Sequence, residues 1–239
     1  MAIKPILALQ HAKINPPGLV GEILEEQGIA YQVVQVAEER IPDPTNYSAI
    51  IAFGGTQHVY DEKQYAFSAR EESIIREAIE HDIPYLGVCY GSQLLAHVLG
   101  GQVTRMKVAD VGFLRVHFTE EGKADPLYAG FTDTLQGFQW HDDTFDVPPE
   151  GIQLARNEQG EHQAFRFGRR AYGIQSHIEI TPEMMDSWLA SFSEEKDKLG
   201  GQGDEIYREI LRERPTLYPL YRADSKRLLE NFLRIAELA

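Results

Sequence analysis

A single cysteine, Cys89, stands in Gly87-Val88-Cys89-Tyr90-Gly91, between an apolar run and a helical one. Where a strand reverses sharply into a helix, the residue at the turn is held in strained backbone, and glycines on either side relieve the crowding. At the start of a helix the dipole favours thiolate, the reactive form of the group. The backbone N–H of Tyr90 then points where it can stabilise an oxyanion. A lone cysteine is commonly no more than a small buried hydrophobe. The glycine spacing and the strand-to-helix switch argue for a nucleophile, and they leave its chemistry open.

A thiol nucleophile needs a base and a group that orients the base, distant in sequence but near in space. Of the eight histidines, His97 lies in the helix after the turn and is expected to face away from the thiol, while His58 and His81 read as surface residues. His177 differs. Tyr172 to Glu179 reads as a strand with His177 near its end, and His177 and Glu179, two apart, point the same way on an extended chain. The carboxylate can then take the second imidazole N–H and fix the tautomer. A solvent-facing His and Glu pair on an edge strand is the competing reading.

The elements that would position these groups alternate. Ile6 to Leu9 is a buried-strand run, and Leu19, Val20, Ile23 and Leu24 recur at helical spacing up to Gly28. Tyr31 to Val36 alternates as a strand, and Ile50 to Phe53 forms another that breaks at Gly54-Gly55. Phe67, Ile74, Ile75, Ala78 and Ile79 mark a helix ended by Ile83-Pro84, and Tyr85 to Val88 leads into the cysteine. This pattern predicts a parallel sheet covered on both faces, with a site beyond the carboxyl ends of its strands. Residues 102 to 175 read as antiparallel strands and loops, for example Leu114 to Phe118 and Ala164 to Phe167. From Thr181, placed to cap, the chain turns helical again with Met185, Trp188, Leu189 and Phe192 on one stripe. Gly200, Gly201 and Gly203 mark a break before a last helix carrying Leu228, Leu229, Phe232, Leu233 and Ala236. One domain over 1–239 is expected, with C-terminal helices from about 181.

With 43% hydrophobic and 25% charged residues the chain reads as globular. A net charge of −14 and a pI near 5.0 argue against nucleic-acid or anionic-membrane partners, because an acidic surface repels phosphate. The opening Met1-Ala2-Ile3-Lys4-Pro5 lacks a long apolar segment and no apolar run approaches a membrane span, so a cytoplasmic address is expected.

Gly87-Val88-Cys89-Tyr90-Gly91-Ser92-Gln93, followed by Gly173-Ile174-Gln175-Ser176-His177-Ile178-Glu179, resembles the class I (triad) glutamine amidotransferases, whose signatures are G-x-C-x-G-x-Q and a later G-x-Q-x-H-P-E. Trp140-His141-Asp142-Asp143 is similar to the W-H-x-D segment of free-standing members related to the amidotransferase half of GMP synthase. The resemblance runs from Ile6 to about Glu179. It implies a flavodoxin-like α/β fold, an open, mostly parallel sheet flanked by helices, with a small antiparallel extension. It also implies a Cys89, His177 and Glu179 triad and an oxyanion hole from Gly55 and Tyr90. Gly54, Gln93, Trp140, His141 and Asp142 would contact substrate.

Two positions depart from the family pattern: Ile178 replaces its usual proline, and Asp142 replaces a glycine in a segment whose backbone holds the α-groups of glutamine. The implied reaction releases ammonia from glutamine with no cofactor, for an acceptor that an ATP-dependent synthetase subunit would activate. The chain has neither a G-x-x-x-x-G-K-[ST] nor an S-G-G-x-D-S loop of its own. Hydrolysis of γ-glutamyl bonds without an acceptor is the alternative.

Three other readings fit less well. An α/β-hydrolase places its acid before its histidine along the chain, whereas Glu179 follows His177. An idle regulatory subunit would not need Cys89, His177 and Glu179 together. A metal held by His141, Asp142 and Asp143 matches no zinc ligand spacing.

Overall fold

The computed structural model describes residues 4–60, 68–159, 161–195 and 203–239, and within these the side chains of 191–195 are left aside. Met1 to Ile3, Phe67, Gly200, Gly201 and the side chain of Phe192 therefore lie outside the described residues.

The strands are β1 (Ile6–Gln10), β2 (Tyr31–Gln35), β3 (Ala49–Ala52), β4 (Tyr85–Val88), β5 (Val103–Phe118), β6 (Thr134–Phe145), β7 (Ile152–Arg156), β8 (His162–Phe167) and β9 (Ala171–Ile174). The helices are α1 (Gly18–Glu26), α2 (Ser68–Glu80), α3 (Tyr90–Val98), α4 (Glu120–Ala124), α5 (Pro182–Glu195) and α6 (Gly203–Ile235). Among the described residues the strands form one sheet in the order β2-β1-β3-β4-β9-β8-β7-β5-β6. The five from β2 to β9 pair in parallel and the remaining joins are antiparallel. The α/β fold and flanking helices are as expected, and the antiparallel part is larger. β5 alone runs for 16 residues, its pairing with β6 interrupted between Arg105 and Asp110.

The inner parallel strands β1, β3, β4 and β9 are buried along their whole length because helices cover both faces, while the edge strand β2 carries Gln32 and Gln35. Ile6 and Ala8 of β1 and Ile51 of β3 face α1, α5 and α6, while Leu7, Leu9 and Ile50 face α2 and α3. α5 starts as predicted: the Met184 N–H donates to Thr181 Oγ1 at 3.2 Å. α6 buries Leu228, Leu229, Phe232 and Leu233 completely, each burial stabilising by roughly 1.5–3 kcal/mol.

β9 inserts between β4 and β8, so a strand late in the chain completes the parallel core beside the strand that ends at the cysteine. No described helix is long and apolar enough to cross a membrane.

Candidate active site

β4 ends at Val88 and α3 begins at Tyr90, which leaves Cys89 alone to turn the chain, at φ +51° and ψ −110°. An L residue rarely adopts such a conformation, and it persists only where the surroundings impose it. Both neighbouring glycines are required by space. A Cβ on Gly87 would stand 2.4 Å from Gly91 O, and one on Gly91 would stand 2.2 Å from Ala52 O. The turn is bonded at each end. The Cys89 N–H donates to Ile174 O of β9 at 2.9 Å, and the Cys89 carbonyl accepts from the N–H groups of Ser92 (2.9 Å) and Gln93 (3.0 Å). Only 6% of Cys89 is exposed.

β9 stops at Ile174, so the strand expected to run to Glu179 is shorter by several residues. Residues 175–180 are held by other means. The His177 N–H donates to Phe138 O of β6 at 2.9 Å, and Tyr221 and Tyr218 of α6 grip the next turn. The Ile180 N–H donates to Tyr221 Oη at 2.9 Å, and Tyr218 Oη donates to Ile180 O at 3.2 Å.

His177 and Glu179 do meet: Nδ1 lies 2.7 Å from Glu179 Oε1, with both side chains buried. The other carboxylate oxygen accepts the Ile178 N–H at 2.9 Å. Nδ1–H therefore faces the acid, and Nε2 is buried with no hydrogen-bond partner. A Cβ on Gly54 would stand 2.8 Å from His177 Cε1 and 3.5 Å from Cys89 Cβ, which places base and thiol on one small space. Burial pulls the His177 pKa down, and the opposing pull of Glu179 and Cys89 outweighs it, holding the imidazole well above its ordinary range. Trp188 packs edge-on against His177, ring centres 5.0 Å apart, and Trp140 against Trp188 at 5.5 Å.

The other residues named from sequence fall around this centre. Gly55 is pressed between His11 and Gln57, where a Cβ would meet Gln57 Oε1 at 2.2 Å and His11 Cβ at 2.8 Å. Gln93 is buried, and its amide N–H groups go to Asp143 O (3.2 Å) and Gln175 Oε1 (3.3 Å). His141 Nδ1–H donates to Asp143 O at 2.8 Å, and burial lowers its pKa to about 4. Asp142 points outward to Arg105 at 3.0 Å.

His58 is not the free surface residue expected. Its Nδ1 lies 2.6 Å from the buried Asp143 Oδ2, and its ring stacks on Tyr60, whose hydroxyl donates to Asp143 Oδ1 at 3.0 Å. Burial, then the Asp143 charge, pushes the Tyr60 pKa up to about 12. The imidazole that shares a 4.8 Å neighbourhood with Asp142 and Asp143 is this one, not His141. His58, Tyr60 and Asn15, which also borders Gly54, carry no motif. In the Trp-His-x-Asp segment Asp142 was expected to contact substrate, whereas the buried carboxylate is that of Asp143.

The profile of the glutamine amidotransferase class-I family matches residues 19–194. The glutamine amidotransferase-like protein YfeJ of Salmonella typhimurium is 27% identical, over 87% of this chain and 88% of its own. The glutamine-hydrolysing GMP synthase of Thermosipho melanesiensis is 29% identical over 75% of this chain, which spans 33% of that longer protein. The crystal structure of a glutamine amidotransferase from Thermotoga maritima superposes with a TM-score of 0.80 at 31% identity, covering 96% of this chain and all of that one.

Proposed function

The chain belongs to the class-I glutamine amidotransferase family, and on that premise we propose that it hydrolyses the side-chain amide of glutamine through a thioester on Cys89. The observation that carries this reading is the buried Nε2 of His177. It is left without a partner beside the Cys89 turn while Nδ1 is fixed by Glu179.

Cys89 Sγ, its proton taken by His177, attacks the amide carbon. The C=O pair moves onto oxygen, where the N–H groups of Gly55 and Tyr90 receive it. Removing one such donor costs on the order of 3 kcal/mol in barrier height. His177 gives its proton to the nitrogen as the C–N bond breaks, and ammonia leaves a γ-glutamyl thioester. His177 then takes a proton from water, the hydroxyl adds to the thioester carbon, and glutamate departs as the thiolate is restored. Glu179 orients the imidazole and balances its charge. Gly54 keeps the space between base and thiol open, and Gln93, with Trp140 and His141, lines the wall where the rest of the glutamine lies; Asp142, turned outward to Arg105, takes no part through its side chain.

The ammonia has an outlet in the same reading. GMP synthase of Thermosipho melanesiensis is about three times as long as its matched part, and an ATP-dependent synthetase acting as a separate subunit is the partner this chain would serve.

Incubation with glutamine is expected to yield equal amounts of glutamate and ammonia, and a glutamine-like diazo ketone to label Cys89. Cys89→Ser should abolish both and leave the fold intact. An inert protein that the diazo ketone does not label at Cys89 would sink the reading, and cleavage of γ-glutamyl dipeptides without glutamine turnover would replace it with an acceptor-free hydrolase.

A further inference from the structure

One buried ionisable pair lies beside the centre, and the hydrolysis does not use it. His11, the first residue past β1, brings its Nε2 within 2.7 Å of Glu71 Oε1 in the first turn of α2, with both side chains wholly out of water. The other oxygen of Glu71 is buried with no hydrogen-bond partner. A carboxyl taken out of water for one bond burdens the fold, so a pair that persists needs a reason. His11 touches both residues that would supply the oxyanion hole. Its Cβ lies 2.8 Å from the point where a Cβ on Gly55 would stand, and its ring meets that of Tyr90 edge-on, centres 4.7 Å apart and planes at 63°. Its carbonyl accepts from Gln57 Nε2 at 3.2 Å, which folds the chain after Gly54-Gly55 back onto it.

The two donors come from different elements. Gly55 follows β3 and Tyr90 opens α3, so the spacing of their N–H groups depends on what packs against both. An oxyanion hole works only while its donors stay aimed at one oxygen, and a misplacement of about 1 Å costs on the order of 10²-fold in rate. We propose that His11 is a positioning residue: held by Glu71, it wedges against Gly55 and Tyr90 and keeps their N–H groups converged on the oxyanion. The proposal rests on the amide-hydrolysing reading of Cys89. Glu71 anchors the wedge to α2, a helix that supplies neither the triad nor the hole. The effect belongs to the step in which charge reaches the substrate oxygen, and not to the making of the thiolate, so its loss falls on kcat.

The experiment compares two reactions of Cys89. Glutamine hydrolysis passes through an oxyanion, whereas alkylation by iodoacetamide displaces iodide from carbon and forms none. His11→Leu and Glu71→Leu are expected to lose about 10- to 100-fold in kcat on glutamine, with KM little changed, and to keep the wild-type rate of alkylation at Cys89. The double variant should be no slower than the poorer single one, because the two residues act as a unit. His11→Gln, which puts an amide N–H where Nε2 was, should retain most of kcat. Circular dichroism checks the fold of each, and if a single variant fails to fold, His11→Gln and the double variant, which orphans neither polar group, carry the comparison. Hydrolysis unchanged, or hydrolysis and alkylation falling together, would overturn the role of His11 while leaving glutamine hydrolysis standing. Wild-type protein that is alkylated at Cys89 yet releases no ammonia from glutamine would overturn that reading, and this role with it.

Discussion

Ile178 does something its side chain does not reveal: its backbone N–H holds the second oxygen of Glu179. A proline, the residue the family pattern has there, has no such hydrogen. Removing the bond leaves more of the carboxylate's charge for His177, and so raises the imidazolium pKa further. Ile178→Pro is expected to move the alkaline limb of the pH–rate profile for glutamine to higher pH, while Ile178→Val, which keeps the N–H, leaves it in place. In the wild type that limb should already lie well above the ordinary histidine range, because the His177 pKa is raised.

At this scale the sequence was legible where motif spacing encodes geometry, as for Cys89, His177 and Glu179. It was opaque where a residue matters through an approach that has no period. Asn15 and His58 are loop residues, and nothing in their neighbours announces that one borders Gly54 and the other reaches Asp143.

Among the elements, α6 supports the site from beyond the matched family region. The family profile ends at residue 194, and α6, from Gly203, carries the tyrosines that hold the turn after Glu179. Tyr221→Phe leaves the Ile180 N–H buried without an acceptor, which costs about 1–3 kcal/mol. The expected result is a lower urea midpoint at unchanged m, with a fall in kcat because His177 and Glu179 lose their support. An unchanged midpoint would mean that the bond contributes nothing.

The alternation of short apolar strands and helices was readable because both faces of the parallel strands are buried. The length of β5 was not, since the irregular pairing between Arg105 and Asp110 breaks its period. α6 continues through Pro215 and Pro219, although a proline inside a helix removes a hydrogen bond from it.

For the whole molecule, acid stability depends on the groups that are buried neutral. His141 has a folded pKa of about 4 against an ordinary 6.5, and burial is the main cause. A depressed histidine contributes stability that is fully present above about 6.5 and is lost as pH falls through the folded value. His141→Asn is therefore expected to flatten the loss of stability between pH 6.5 and 4, read as urea midpoints at the two pH values. The net charge of −14 told which partners to doubt and nothing about the site, because surface charge does not encode which few groups are buried.

The order of the strands has one more outcome, in time rather than space. The thiol's turn is made by residues adjacent in the chain, but its N–H is bonded to β9 and its base follows β9. Contacts between segments far apart in sequence form late, since the loop between them must close first. A chain growing from the ribosome therefore exposes Cys89 about ninety residues before His177 exists. If Cys89 and His177 act together as proposed, hydrolysis is expected only once β9 slots in beside β4, and a nascent or truncated chain is expected to be a silent one.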